Sequence, residues 1–191
     1  MPSNNMKPKK FLASYLEDFS DLVKSNEETV EKLAEVADLL KNVHSDGKKT
    51  LIFGNGGSAA MASHFSVDLT KNAGLRCINC NESDLITCFA NDYGFERWVE
   101  KAVDFYGDEG DLLIVISSSG SSENMLNGVK AARKGKFKGI VTLSGFAEDN
   151  PLCQLGDINL WINSRAYNFV ENIHQIWLLA IAAANVDAAG S

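Results

Sequence analysis

The chain has 191 residues, of which 45% are hydrophobic and 23% charged, and its net charge is −7. That balance suits one globular unit with a sizeable core; with no basic tract beyond Lys7 to Lys10 and no aromatics set beside basic residues, nucleic-acid binding is not expected. The longest apolar run, Ile176 to Ala184, is too short for a membrane span, and the basic opening MPSNNMKPKK has no apolar stretch behind it, so a secretory signal is not expected.

Phe11, Tyr15, Phe19 and Leu22, flanked by Leu12, Leu16 and Val23, recur at helical spacing and predict a long amphipathic helix. A second helix carries Val30, Leu33, Ala37, Leu40 and Val43 and ends near Gly47. Together these helices offer more apolar face than a turn-connected pair needs. They pack either on the sheet of their own subunit or, for the first helix, against a partner subunit. Leu51, Ile52 and Phe53 then form a short buried strand, broken by Gly54-Asn55-Gly56-Gly57. From Ser58 to Lys71 the pattern is helical. Leu75 to Ile78 is a second strand. Thr87 to Ala90 ends a short helix, and Asn91-Asp92-Tyr93-Gly94 is a loop. Asp111 to Ser117 is an unbroken apolar run, as in a strand buried on both faces. Ser117-Ser118-Ser119-Gly120-Ser121-Ser122 follows, then a helix through Met125, Leu126, Val129 and Ala132. Strands at Gly139 to Leu143 and Ile158 to Ile162 and a terminal helix from Arg165 to about Asp187 complete the chain.

Strands alternating with helices predict an α/β fold, a parallel sheet covered on both faces. No repeat or linker divides it. The expected unit is residues 1–191, with N-terminal helices at about 10–46 and the sheet with its helices at about 49–187. Four cysteines are present, and Cys77 and Cys80 form a C-x-x-C with no second pair at zinc-finger spacing. They are expected to be incidental thiols in a reducing cytoplasm.

In such sheets ligands collect at the carboxyl ends of the strands. Two strands here end in loops suited to an anion. The first, Asn55 to Ser58, joins strand to helix through glycines, which let the backbone approach a ligand while the first helical N–H groups stay free. It lacks the pattern of a dinucleotide fingerprint or a Walker A loop, so no nucleotide cofactor is expected. The second loop places five serines in six residues after a buried strand. A capping role explains one or two of them, not five. Neither loop brings a Lys or Arg, which points to a phosphate monoester held by hydroxyls and amides.

Four segments, Leu51 to Lys71, Asn91-Asp92, Asp111 to Ser122 and Asn168 to His174, resemble the sugar isomerase (SIS) domain, and most closely its phosphoheptose isomerase group. The likeness runs over about residues 10–185, through GNGGSAAMASHF, AND-x-GF and GD-x-L-x-x-IS-x-SG-x-S in that order. It implies a flavodoxin-like α/β/α sandwich with a five-stranded parallel sheet and a homotetramer. It further implies aldose–ketose isomerisation of sedoheptulose 7-phosphate or a related sugar phosphate through an enediol. Substrate contacts carry over to Asn55, Gly56, Ser58, Asp92, Ser117, Ser118, Ser119, Ser122 and Glu171.

Two departures touch the chemistry. The family's base is a glutamate four residues beyond a helix histidine; here His64 is followed by Asp68, which shares its helix face with a reach one methylene shorter. The family's terminal-helix histidine falls on Leu179, and its glutamine on Glu171. A zinc site, present in some of these isomerases, would here have His64, Asp68 and Glu171 as ligands, with Leu179 in the fourth place. His174 is five residues from Leu179 and faces elsewhere. The alternative is a catalytically silent protein of the same family, either a sugar-phosphate sensor or a tetrameric adaptor of the replication-initiator-binding kind. That branch also lacks the terminal histidine, but it carries an arginine in the serine run, where this chain has none.

Overall fold

The computed structural model describes residues 7–24 and 26–189, with side chains through 186. Residues 1–6, which open the basic N-terminal stretch, lie outside it. Five strands form one parallel sheet: β1 (Thr50–Gly54), β2 (Cys77–Ile78), β3 (Leu112–Ser117), β4 (Gly139–Ser144) and β5 (Ile158–Trp161). Their order in the sheet is β2-β1-β3-β4-β5. Among the described residues seven α-helices accompany them: α1 (Pro8–Val23), α2 (Glu27–Ser45), α3 (Gly57–Lys71), α4 (Ser83–Tyr93), α5 (Trp98–Tyr106), α6 (Glu123–Lys134) and α7 (Tyr167–Ala189).

The period-two alternation of the strands divides the core into two layers. Ile52, Leu112, Ile114 and Ile116 face the helices α2, α3 and α7, where they meet Leu40, Phe65, Leu69 and Ile173. Leu51, Phe53, Leu113 and Val115 face α5 and α6, where they meet Trp98, Val99, Met125 and Val129. Every residue of β1, β3 and β4 is buried, as a sheet covered on both sides requires. Trp98 packs edge-on against Phe53, with ring centroids 5.7 Å apart.

The amino-terminal edge of the sheet is pinned by charge. Asp111, fully buried, accepts hydrogen bonds from the Lys49 backbone N–H (3.0 Å), the Asp108 backbone N–H (2.8 Å) and the Lys49 ammonium (2.6 Å). Burial works against the Lys49 charge, but the bonds to Asp108 and Asp111 outweigh it and hold its pKa above the usual lysine value. The network lies at the amino ends of the strands, opposite the glycine and serine loops, so it supports the fold.

Three features differ from expectation. The second strand is only Cys77–Ile78, because Leu75 still bonds back to the end of α3, its N–H donating to Leu69 O at 3.0 Å. Asn91, Asp92 and Tyr93 are the last turn of α4 rather than a loop, and Gly94 at φ 90° ends the helix. Helix α5, preceded by a 3₁₀ turn at Phe95–Arg97, goes unpredicted by the residue pattern, since its apolar stripe of Trp98, Val99, Ala102 and Val103 is only nine residues long. The C-x-x-C cysteines are free thiols; burial pushes Cys77 far up, and burial with the nearby Glu82 charge pushes Cys80 up to about 11. No helix among the described residues is long and apolar enough to cross a membrane.

Candidate functional site

The chain leaves β1 toward β2 on one side of the sheet and reaches β3 on the other, so the order reverses between β1 and β3. A crevice at the carboxyl ends of such a strand pair is where open α/β sheets bind ligands. The glycine loop follows β1 and the serine loop follows β3. Register sets them side by side, with Gly54 opposite Ile116.

In the glycine loop, close approach dictates the residue types. A Cβ on Gly54 would stand 2.5 Å from the Ser58 backbone, so strand end and helix start touch. Gly56 has φ 55° and ψ −121°, a conformation that side-chain-bearing residues avoid. Among the described residues the first N–H of this turn to find a backbone carbonyl is that of Ser58, which donates to Asn55 O at 3.0 Å. Among the described residues the N–H groups of Gly56 and Gly57, which come before it, donate to no backbone carbonyl. Ser58 itself is buried.

In the serine loop, Ser117 and Ser118 are buried and Ser119 is half-buried. Ser117 Oγ and Ser122 Oγ lie 3.0 Å apart, drawing both ends of the loop together. Gly120, at φ 67°, donates its N–H to Ser117 O at 2.9 Å, and a Cβ there would overlap the amide of Asn150. Asn150 is itself fixed: its amide donates to Ser144 Oγ (3.0 Å) and Ala147 O (2.7 Å) and accepts from Cys153 N–H (3.1 Å). The loop is therefore built on a rigid floor and presents hydroxyls and amides at the start of α6.

The two loops are tied by a pair that the sequence does not reveal. Asn124 Nδ2 donates to Asn55 Oδ1 at 2.9 Å, and Asn55 Nδ2 donates to Asn124 Oδ1 at 3.1 Å.

Helix α7 crosses α3 and sets three residues against it at four-residue intervals. The Glu171 carboxylate lies at the start of α3, its oxygens 2.6 and 2.9 Å from where a Cβ on Gly57 would be. Gln175 Nε2 is 3.5 Å from His64 Nδ1. Leu179 and Asp68 line one hollow of about 650 Å³ with Lys71, Asn72, Ala182, Ala183 and Val186. On α3 itself, His64 Nε2 is 3.4 Å from Asp68 Oδ2, and both side chains remain partly exposed. Gln175 was missed because its spacing fits the apolar helix around it. His174, one residue before it, is fully buried with its Nε2 3.1 Å from Ser144 O. Burial pulls its pKa to about 4, partly opposed by that bond, so it is no acid for this cleft.

Asp92 makes no hydrogen bond to the loops, and Glu171, though seated at the glycine loop, does not join the other expected metal ligands. Among the described residues no hydrogen bond links Asp92 to either loop; it is exposed on α4 and contacts Asn91 (2.9 Å) and Cys88 (3.7 Å). Glu171 does not meet His64 and Asp68, and no three His, Cys, Asp or Glu side chains among the described residues stand close enough to hold a metal ion. The reason is helix geometry: Gly57 and His64 are seven residues apart, about 10 Å along α3, so a carboxylate seated at Gly57 is two turns from the histidine. The expected zinc ligands therefore do not fit together within one chain.

The chain matches the SIS domain over residues 14–144. It is 38% identical over 175 residues to a phosphoheptose isomerase of Fusobacterium nucleatum, covering 87% of this chain and 89% of the relative. It is 37% identical over 174 residues to that of Aliarcobacter butzleri, covering 87% and 88%. Among solved structures, a phosphoheptose isomerase from Francisella tularensis superposes with a TM-score of 0.86 at 26% identity, covering 95% of this chain and all of that one. A phosphoheptose isomerase from Neisseria gonorrhoeae gives 0.84 at 26% identity, covering 94% and 98%. On this family match and these relatives, the chain belongs to the SIS-domain family.

Proposed function

We propose that the protein is a sugar-phosphate isomerase that interconverts an aldose and a ketose, with sedoheptulose 7-phosphate or a closely related sugar phosphate as substrate. The observation that carries this reading is the adjacency, at the β1/β3 reversal, of two glycine- and serine-rich loops without Lys or Arg, with Asp68 on the helix α3 that begins at the glycines. Similarity to named phosphoheptose isomerases supports the same reading.

In the proposed reaction the serine loop holds the phosphate through hydroxyl and amide donors, and the glycine loop receives the sugar. Asp68 takes the proton from the carbon beside the carbonyl, giving the enediol, and returns it to the neighbouring carbon. His64, beside Asp68, carries the proton between the two sugar oxygens. Leu179, which has no proton to give, lines the same hollow as Asp68 and holds the position where the resemblance would place an acid. That same leucine favours the second reading, a binding protein without turnover.

The test is direct. Incubation with sedoheptulose 7-phosphate should yield an aldose phosphate, and thermal shift should respond to the phosphate but not to free sedoheptulose. Equal shifts with both sugars would overturn the phosphate site. A shift without product would establish the binding protein instead.

A further inference from the structure

The ladder between β1 and β3 ends at Gly54 and Ile116, and beyond it the glycine and serine loops part. Among the described residues, the Asn55–Asn124 amide pair is the only side-chain hydrogen bonding between the loop after β1 and the segment Ser117 to Asn124. Asn124 is 3% exposed, and both of its amide atoms are satisfied by Asn55, 69 residues earlier in sequence. An asparagine amide has two N–H groups and two acceptor sites. The pair therefore consumes one of each on Asn55 and leaves one of each for a ligand. Rotating either amide alone sets donor against donor and oxygen against oxygen, so each fixes the other. The first turn of α6 needs no such residue: Ser122 is its N-cap, and the turn closes through Met125 N–H to Ser122 O at 3.0 Å.

We infer that Asn124 is a positioning residue that clasps the glycine loop to the serine loop, fixing the span across which one sugar phosphate is gripped at both ends. This rests on the proposed function for its ligand but not for its geometry. Its absence should weaken ligands that bridge the loops and spare those that occupy the serine loop alone.

The experiment compares wild type with Asn124→Leu, of similar volume without polar atoms, and with Asn124→Asp, which keeps the acceptor but removes the donor. Calorimetry uses sedoheptulose 7-phosphate as the bridging probe and orthophosphate as the one-loop probe. The expected result is a dissociation constant raised about tenfold for the sugar phosphate, the scale of two neutral hydrogen bonds, and unchanged for orthophosphate. Backbone amide exchange at Gly56 and Gly57 should also quicken in both variants. An unchanged sugar-phosphate constant, an equal loss for both probes, or unaltered exchange at those glycines would each overturn the clasp. If wild type binds neither probe, the proposed function falls and the exchange rates alone decide the clasp.

Discussion

Asp68 and Leu179 line one hollow, and in the proposed reaction they stand where the base and the acid would be. An aspartate reaches one methylene less far than the glutamate it replaces, and a misplacement of about 1 Å can cost roughly 100-fold in rate. Loss of an acid costs about 10²- to 10⁴-fold more. Weak turnover of the heptose phosphate is the expected outcome, or turnover of a sugar whose carbonyl lies nearer Asp68. Asp68→Asn should abolish isomerisation yet leave phosphate binding intact, whereas Leu179→His combined with Asp68→Glu should raise the rate. Full activity in Asp68→Asn would remove the aspartate from the mechanism. His174 tests a different property. Its folded pKa of about 4 lies below the ordinary 6.5, so between those values the unfolded chain binds a proton that the folded chain does not. Stability is then fully present above pH 6.5 and is lost as pH falls toward 4. At about 1.4 kcal/mol per unit, the loss should approach roughly 3 kcal/mol. Urea unfolding at about pH 7 and about pH 4.5 should show a larger drop for wild type than for His174→Gln; equal drops would mean that the imidazole is not held neutral by the fold.

At the scale of elements, the serine loop depends on Gly120. The glycine adopts φ 67° and lies against Asn150, whose amide is already committed to three neighbours. Gly120→Ala therefore meets both a strained conformation, worth about 1–3 kcal/mol, and a steric clash. Lowered thermal stability together with weakened phosphate binding is expected. Unchanged binding would show that the loop does not hold the phosphate. Both candidate loops were legible as sequence, because glycine and serine runs after buried strands stand out from the segments around them. Asn124 and Gln175 were not. Each matters only through a partner far away in the chain, and no local pattern records the crossing of α7 over α3 or the adjacency of β1 and β3.

For the whole molecule, the unpartnered surface of α1 is the leading feature. The helix buries no residue within its own chain, and Phe11, Leu12 and Leu16 are 54%, 57% and 65% exposed. An amphipathic helix presenting such a stripe is a candidate for assembly. A homotetramer is the expected state by light scattering at micromolar concentration. Leu12→Lys with Leu16→Glu should shift it toward smaller species. A wild-type monomer would dispose of the assembly.

The sequence by itself determined the α/β alternation, the parallel sheet and the two loops, since each follows from local periodicity and residue chemistry. It also placed His64 and Asp68 on one helix face, which needs only the 3.6-residue period. Tertiary structure alone decided what these residues meet. It seated Glu171 at Gly57, two turns from His64, so the expected zinc ligands stay apart. It carried Asp92 into the last turn of α4. It set Gln175 beside His64 and brought Leu179 and Asp68 to one hollow. The crossing of two helices depends on the packing of their whole apolar faces, and that packing is a property of the folded core rather than of any segment within it.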